Sequence, residues 1–298
     1  LAIAIFAQGL TGIEFYPGNF GSEYGDPSGG LLRVKGGEAR AGPHFTVEAL
    51  SDNATGHGFD QNWYTGRAGL PIPALRADVS ATLERRWFGD AGPSAVTSSL
   101  PGRPDRLPAN WLSGWSYDGR IRVCPRPETS LEVNIQGSRD SRQRYAHTYW
   151  FDAAHAPYAE AENLFAGARL SDRSVPGLSF EAGAGHYSTD QFIGDGVFRR
   201  DRAAYAAGGN LWTDSARLFY LPGHAYNHYE KSGASYTQVD GVARVELGFV
   251  RATVGGIYRG YTIRYYRDFD PVRGDDVFRY GYNEQGRAVD AGARHPSD

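Results

Sequence analysis

The chain has 298 residues, a net charge of −3, 41% hydrophobic and 22% charged residues, a balance that excludes a disordered chain and a helical membrane protein. The slight negative charge speaks against a nucleic-acid footprint, and the single cysteine, Cys124, excludes an internal disulfide framework. Glycine (39), tyrosine (19) and proline (16) point instead to strands and turns.

In chain order, the first segment is Leu1–Ala7, the longest apolar run and far short of the roughly 20 residues a spanning helix needs. It can be a buried strand or the tail of a signal peptide; the strand is favoured because no basic region precedes it. The chain lacks methionine altogether. We therefore expect an internal fragment of a longer protein.

Residues 12–35 then give a strand, glycine-rich turns at Gly18, Gly21, Gly25, Gly29 and Gly30, and a short strand ending at Lys35. From residue 44 onward the apolar period is two. Phe45, Val47 and Ala49 alternate with Thr46 and Glu48; Leu75 to Leu83 alternate with Arg76, Asp78, Ser80, Thr82 and Glu84. Trp115, Tyr117, Ile121 and Val123 alternate with Asp118, Arg120 and Arg122, and Leu131, Val133 and Ile135 with Glu132, Asn134 and Gln136. The pattern returns at 178–185 and at 239–249, and no helical stripe is evident.

Strands are predicted at 44–51, 61–70, 74–87, 111–123, 128–143, 157–171, 177–190, 201–220, 236–248 and 250–267. Tight links (70–73, 125–127, 172–177 and the turn near Gly248) separate them on one side. Long polar links (52–60, 88–110, 144–156, 191–200, 221–235 and 268 onward) separate them on the other. Short turns on one side, long loops on the other, full charges at mid-strand and aromatics at strand ends are the signature of an outer-membrane barrel. Trp87, Phe88, Trp111, Tyr145, Tyr149, Trp150, Tyr265 and Tyr266 are the expected interfacial aromatics. Low mean hydropathy agrees, because lumen-facing residues dilute the average.

The segment Ile13-Glu14, Gly18, Tyr24-Gly25 and Gly29-Gly30-Leu31-Leu32 resembles the end of the plug domain of TonB-dependent outer-membrane receptors, in its Oar-like branch. Pro17 stands where that family frequently has arginine. The resemblance implies an all-β fold, an antiparallel transmembrane β-barrel of which about ten strands are present, with a plug remnant against its polar face. Residues 1–42 would end the plug and 43–298 begin the barrel. It also implies a receptor and transporter rather than an enzyme, sited in the bacterial outer membrane. The partners would be outer-membrane lipid, an unknown extracellular ligand, and TonB through a region outside this chain; no cofactor and no nucleic acid are expected.

Mid-strand charges Arg76, Asp78, Glu84, Arg120, Glu132, Arg244 and Glu246 are expected to face the lumen. His224 and His228, four apart, are weak metal candidates in a loop that Pro222 and Gly223 keep from being helical; solvent is the expected surrounding. Asp268, Asp270, Asp275 and Asp276 are expected in a solvated acidic loop. Arg273-Gly274-Asp275 is a short match of the kind chance supplies. Cys124 is expected as a small buried hydrophobe. No catalytic constellation is found. The competing reading is a secreted or surface β-sheet protein that binds carbohydrate through tyrosines, although no propeller-length repeat is present.

Overall fold

The computed structural model describes residues 10–16, 31–36, 42–52, 58–92, 106–269, 271–272, 278–282 and 288–290; for 10–16, 31–36, 278–282 and 288–290 only the backbone is described. β1 (Leu10–Tyr16) and β2 (Leu31–Gly36) pair antiparallel with Glu14 opposite Arg33. Nine long strands follow: β3 (His44–Ser51), β4 (Gln61–Ile72), β5 (Ala77–Phe88), β6 (Leu112–Arg126), β7 (Thr129–Gln143), β8 (Pro157–Asp172), β9 (Leu178–Asp195), β10 (Tyr229–Leu247) and β11 (Val250–Asp268). Two short strands, β12 (Phe278–Tyr282) and β13 (Ala288–Asp290), complete one eleven-stranded antiparallel sheet in simple sequence order. Among the described residues β3 and β13 do not pair, so the sheet is open.

Strand length grows from 8 residues in β3 to 19 in β10 and β11. At about 3.3 Å per residue the longest strands reach ~60 Å, about twice a hydrocarbon core. The tight links are built by specific residues. Pro73–Leu75 make one 3₁₀ turn closed by Arg76 at φ 47°, and Gly177 takes φ 75°. At the β10–β11 hairpin, Leu247 pairs with Val250 across Gly248 and Phe249. Gly248, with φ 58°, is the first central residue, as a type II′ turn requires.

The register is continuous from β4 to β11 apart from one irregularity between Val123 and Arg126. It therefore carries the period of two across the whole sheet. One row runs Leu70, Val79, Ile121, Val133, Ala168, Ala184, Val239, Tyr258. The row of opposite parity beside it runs Asp78, Arg122, Glu132, Arg169, Gly183, Asp240. The apolar face is bare: Val133 is 44% exposed, Val239 51% and Val254 73%. No leucine, isoleucine or valine is buried among the described residues. A water-soluble sheet does not leave an apolar face of this extent open.

The apolar band also climbs across the sheet. Its last apolar member is Leu83 on β5 but Val239 on β10. The register row of Leu83 meets β10 at Ser235, four residues from Val239. A level band crossing strands at a slant needs this offset, and tilted strands produce it. Glycines along the band receive neighbouring rings: the Tyr117 ring lies where a Cβ of Gly137 would stand.

Three expectations are corrected. Residues 201–220 are not a strand: α1 (Arg202–Gly208), N-capped by Asp201 through Ala204 N, and irregular chain fill them. The expected strand also placed two long links in succession, and one long loop, 196–228, restores the alternation of short and long. β10 accordingly starts at Tyr229, inside the expected loop 221–235. The expected ten strands become nine long ones and two short ones in the sheet. Arg76 belongs to the turn before β5 rather than to a strand, because its left-handed backbone ends the 3₁₀ turn.

Candidate functional site

The polar face carries a bonded chain of side chains across four strands. Arg259 Nε donates to Gln238 Oε1 (3.0 Å), whose Nε2 donates to Asp240 Oδ1 (2.9 Å). Arg169 bridges Asp240 (3.5 Å) and Glu181 (3.6 Å), and Glu181 accepts from Arg244 (3.1 Å). Glycines 167, 183 and 185 leave a shallow cleft beside this chain, walled by Phe165 and Tyr236 and edged by Glu132 and Asn134. The row through Phe165, Tyr187, Tyr236 and Tyr261 adds an aromatic file, with ring centroids 5.7 Å apart for Tyr187–Tyr236 and 5.9 Å for Tyr236–Tyr261.

Of the charges singled out from the sequence, Asp78, Glu84, Arg120, Glu132, Arg244 and Glu246 share this face by register. Arg120 meets Glu132 (3.5 Å), Glu84 meets Arg86 (3.3 Å), and Glu246 meets Arg251 (2.8 Å). Arg76 instead donates to the Pro125 carbonyl (3.0 Å) from its turn. Arg169, Glu181 and Asp240 are not among the charges the sequence singles out, nor is Asp140, which accepts from Arg86 (2.9 Å). Their parity within the alternating segments was the available signal.

The second assembly is made by the loops at the other end. Asp195, the last residue of β9, is fully buried. Its Oδ1 accepts from Val197 N (2.8 Å) and Phe198 N (3.0 Å), its Oδ2 accepts from Tyr226 N (2.8 Å), and His155 Nδ1 lies 2.9 Å away. Its own amide donates to the Tyr205 hydroxyl (2.6 Å). One carboxylate thus ties together loop 144–156 and both arms of loop 196–228. Asp152 reinforces the tie by accepting from Gly223 N (2.9 Å).

Rings fill the space around these bonds. Tyr220 stacks on His224 at 3.7 Å, and Tyr149 meets both edge-on. The bond to Asp195 holds the His155 pKa above the ordinary histidine value, against burial, which lowers it. Burial pushes His224 below that value, and burial pushes the Tyr149 and Tyr205 phenols up. A second buried carboxylate, Asp90, accepts from Asn110 Nδ2 (2.6 Å) and Leu107 N (2.9 Å) and so holds the start of β6 to the residues after β5.

Several sequence expectations change here. His224 is 7% exposed rather than solvated; it bonds the Trp212 carbonyl (2.8 Å), while His228 faces Glu230 (3.2 Å). The stack on Tyr220 and the edge contact with Tyr149 hold His224 inward. Asp268 is 2% exposed and receives Arg202 (2.8 Å) instead of lying in a solvated acidic loop; Asp270, Asp275, Asp276 and the Arg273-Gly274-Asp275 match lie outside the described residues. Tyr145, Tyr149 and Trp150 belong to the loop assembly around His147 and Tyr220, not to an interfacial girdle, because their segment folds back as two 3₁₀ turns. Cys124 is half-buried at the end of β6. Ile13 and Glu14 lie in β1, whereas Gly18, Tyr24, Gly25, Gly29 and Gly30 lie outside the described residues. Among the described residues no three His, Cys, Asp or Glu side chains converge as a metal site.

No protein-family profile matches the chain and no curated protein matches it. Its fold is similar to the crystal structure of the siderophore receptor PiuA from Acinetobacter baumannii, with a TM-score of 0.52 at 10% identity. The match covers 95% of this chain and 38% of the receptor, so the chain spans well under half of the length of the protein it resembles. At that identity the likeness shows a shared fold: an antiparallel sheet matching part of a receptor barrel.

Proposed function

We propose that the chain forms part of an outer-membrane receptor of the TonB-dependent kind, in its Oar-like branch, which binds an extracellular ligand and imports it. The observation that carries this reading is the single apolar face, continuous from β4 to β11 and slanted as tilted strands require, backed by a face of ion pairs. Lipid covers the apolar face and water or protein fills the polar one. Residues 1–42 would be the end of a plug and 43–298 the start of the barrel, with Asp78, Glu84, Arg120, Glu132, Arg244 and Glu246 toward the lumen. The polar cleft and the loop assembly are the surfaces a ligand would meet. The similarity to a siderophore receptor supports the fold of this reading and leaves the ligand open.

Single cysteines in a Cys124→Ser background test it. The complete gene product is placed in the outer membrane of a Gram-negative host, and cysteines are set at Val133 and Val239 or at Asn134 and Gln238. Water-soluble maleimide should spare the first pair, and a lipid-soluble maleimide should reach it. Equal labelling of all four positions from water would refute the barrel and favour a soluble sheet.

A further inference from the structure

Loop 196–228 does not only rise above the sheet; it folds down over the outer edge of the apolar face. Tyr229 and Phe192 lie on the apolar parity of β10 and β9, and Tyr205 of α1 packs on Tyr229 with ring centroids 5.8 Å apart. Two hydroxyls pin the descending chain. Tyr205 donates to the Arg199 carbonyl (3.3 Å) and Tyr229 to the Arg200 carbonyl (3.0 Å). Pinned in this way, the Arg199 guanidinium lies 5.1 Å from the Tyr158 ring centre and that of Arg200 5.1 Å from Phe192. These rings belong to an unbroken file, Trp87, Trp111, Tyr158, Phe192, Tyr229, Tyr266, with successive centroids 5.3 to 6.3 Å apart.

The strands add cations to the same face. Arg85 sits 4.8 Å over Trp115 and Lys231 5.2 Å over Tyr229; Arg139 and Arg264 share their parity. The strand carboxylates on this side are Glu160, Glu162, Asp190 and Asp268, the last of which is taken up by Arg202 (2.8 Å). Glu160 is tucked between Arg139 (2.9 Å) and Arg200 (3.2 Å), and Asp190 accepts from Arg200 (2.7 Å). Arg85, Arg199, Lys231 and Arg264 have no carboxylate within ion-pair distance among the described residues. A chain of net charge −3 thus gathers a surplus of cations just beyond its apolar band.

We infer that this belt is a docking surface for phosphate-bearing lipid headgroups, with the apolar band below it taking the acyl chains. The inference rests on the outer-membrane reading above. Guanidinium groups bind phosphate bidentately, and stacking on rings holds them in place without consuming their donors. Continuity with the apolar band selects a lipid phosphate over a free one, because only a lipid satisfies both surfaces at once.

The test is native mass spectrometry of the complete gene product, reconstituted in phosphatidylethanolamine vesicles that hold a minor fraction of bisphosphorylated lipid A. Lipid A should be retained above its bulk fraction. Each of Arg199→Gln, Lys231→Gln and Arg264→Gln should lower the enrichment by about fivefold, the effect of one cation at an anionic surface. Glu162→Gln should raise it. Dephosphorylated lipid A should not be enriched, and inorganic phosphate should compete poorly. Retention at the bulk fraction, or enrichment that survives dephosphorylation or the combination of Arg199→Gln, Lys231→Gln and Arg264→Gln in one chain, overturns the inference. Strong competition by inorganic phosphate also overturns it, and identifies a free-anion site. Maleimide protection of a Val133→Cys probe in the same vesicles separates the two readings. An inserted protein without enrichment sinks only the belt, and a protein that does not insert sinks both.

Discussion

The strand region and the loop assembly obey opposite rules. In the strands, Val133, Ile135, Val239 and Val254 are exposed while charges turn toward one another on the other face. In the loops, Tyr149, Tyr205 and Ala225 are buried around a carboxylate with no exposure at all. On the outer-membrane reading proposed above, the difference follows from the solvent each region meets. Lipid makes an exposed valine cost nothing, whereas water drives rings inward and demands a partner for each buried polar atom. One chain therefore carries an inside-out sheet and a conventionally packed cap, joined at Asp195, where β9 ends and the loop begins.

The largest effect should come from breaking that joint. Asp195→Ala leaves three backbone amides and His155 without their acceptor, at a cost of roughly 3 kcal/mol or more to the cap. Limited proteolysis should cut loop 196–228 rapidly while the sheet keeps its heat-modifiable migration in gels. Loss of both together would mean that the two regions are not separable.

Next comes the apolar face. Val133→Arg should cost about 2–4 kcal/mol of folding in vesicles, and Asn134→Arg, one residue away on the polar face, much less. Equal costs would erase the distinction between faces. Gly137→Ala meets the Tyr117 ring and should cost about 1–3 kcal/mol. The companion variant Tyr117→Ala should make that cost nearly vanish in a double-mutant cycle.

The smallest expected effect concerns pH, and it is confined to the cap. A histidine whose folded pKa is raised stabilises below its unfolded value and loses that contribution as pH rises through the folded value; His155 is of this kind. His224 is lowered, so its contribution is present above the ordinary histidine value and fades as pH falls through the folded one. Amide-exchange protection of loop 196–228 should therefore peak between the two histidine transitions and fall on either side. Protection in β6 and β7 should stay flat, and a parallel fall there would contradict a cap-only effect.

Much of this protein was legible from its sequence. Strands β3 to β9 and β11 fall within a few residues of the alternating segments, because alternation is a local property that a strand writes directly into its residues. The same alternation placed Asp78, Glu84, Arg120, Glu132 and Arg244 on one face. Where locality failed, so did the reading. Residues 201–220 contain enough aromatic and small residues to pass for a strand, yet their conformation is decided by partners far along the chain. His155 reaches Asp195 across 40 positions, Tyr226 reaches it across 31, and Gly223 reaches Asp152 across 71.

The burial of His224 and Asp268 has the same origin, since a ring stack and an arginine supplied by other segments cannot be seen in the two residues themselves. The sequence by itself determined which residues share a face and where the chain turns, through a period of two and the backbone demands of glycine and proline. Tertiary structure alone decided how the long loops close over Asp195 and over the aromatic file, because those contacts join residues with no periodic relation to one another.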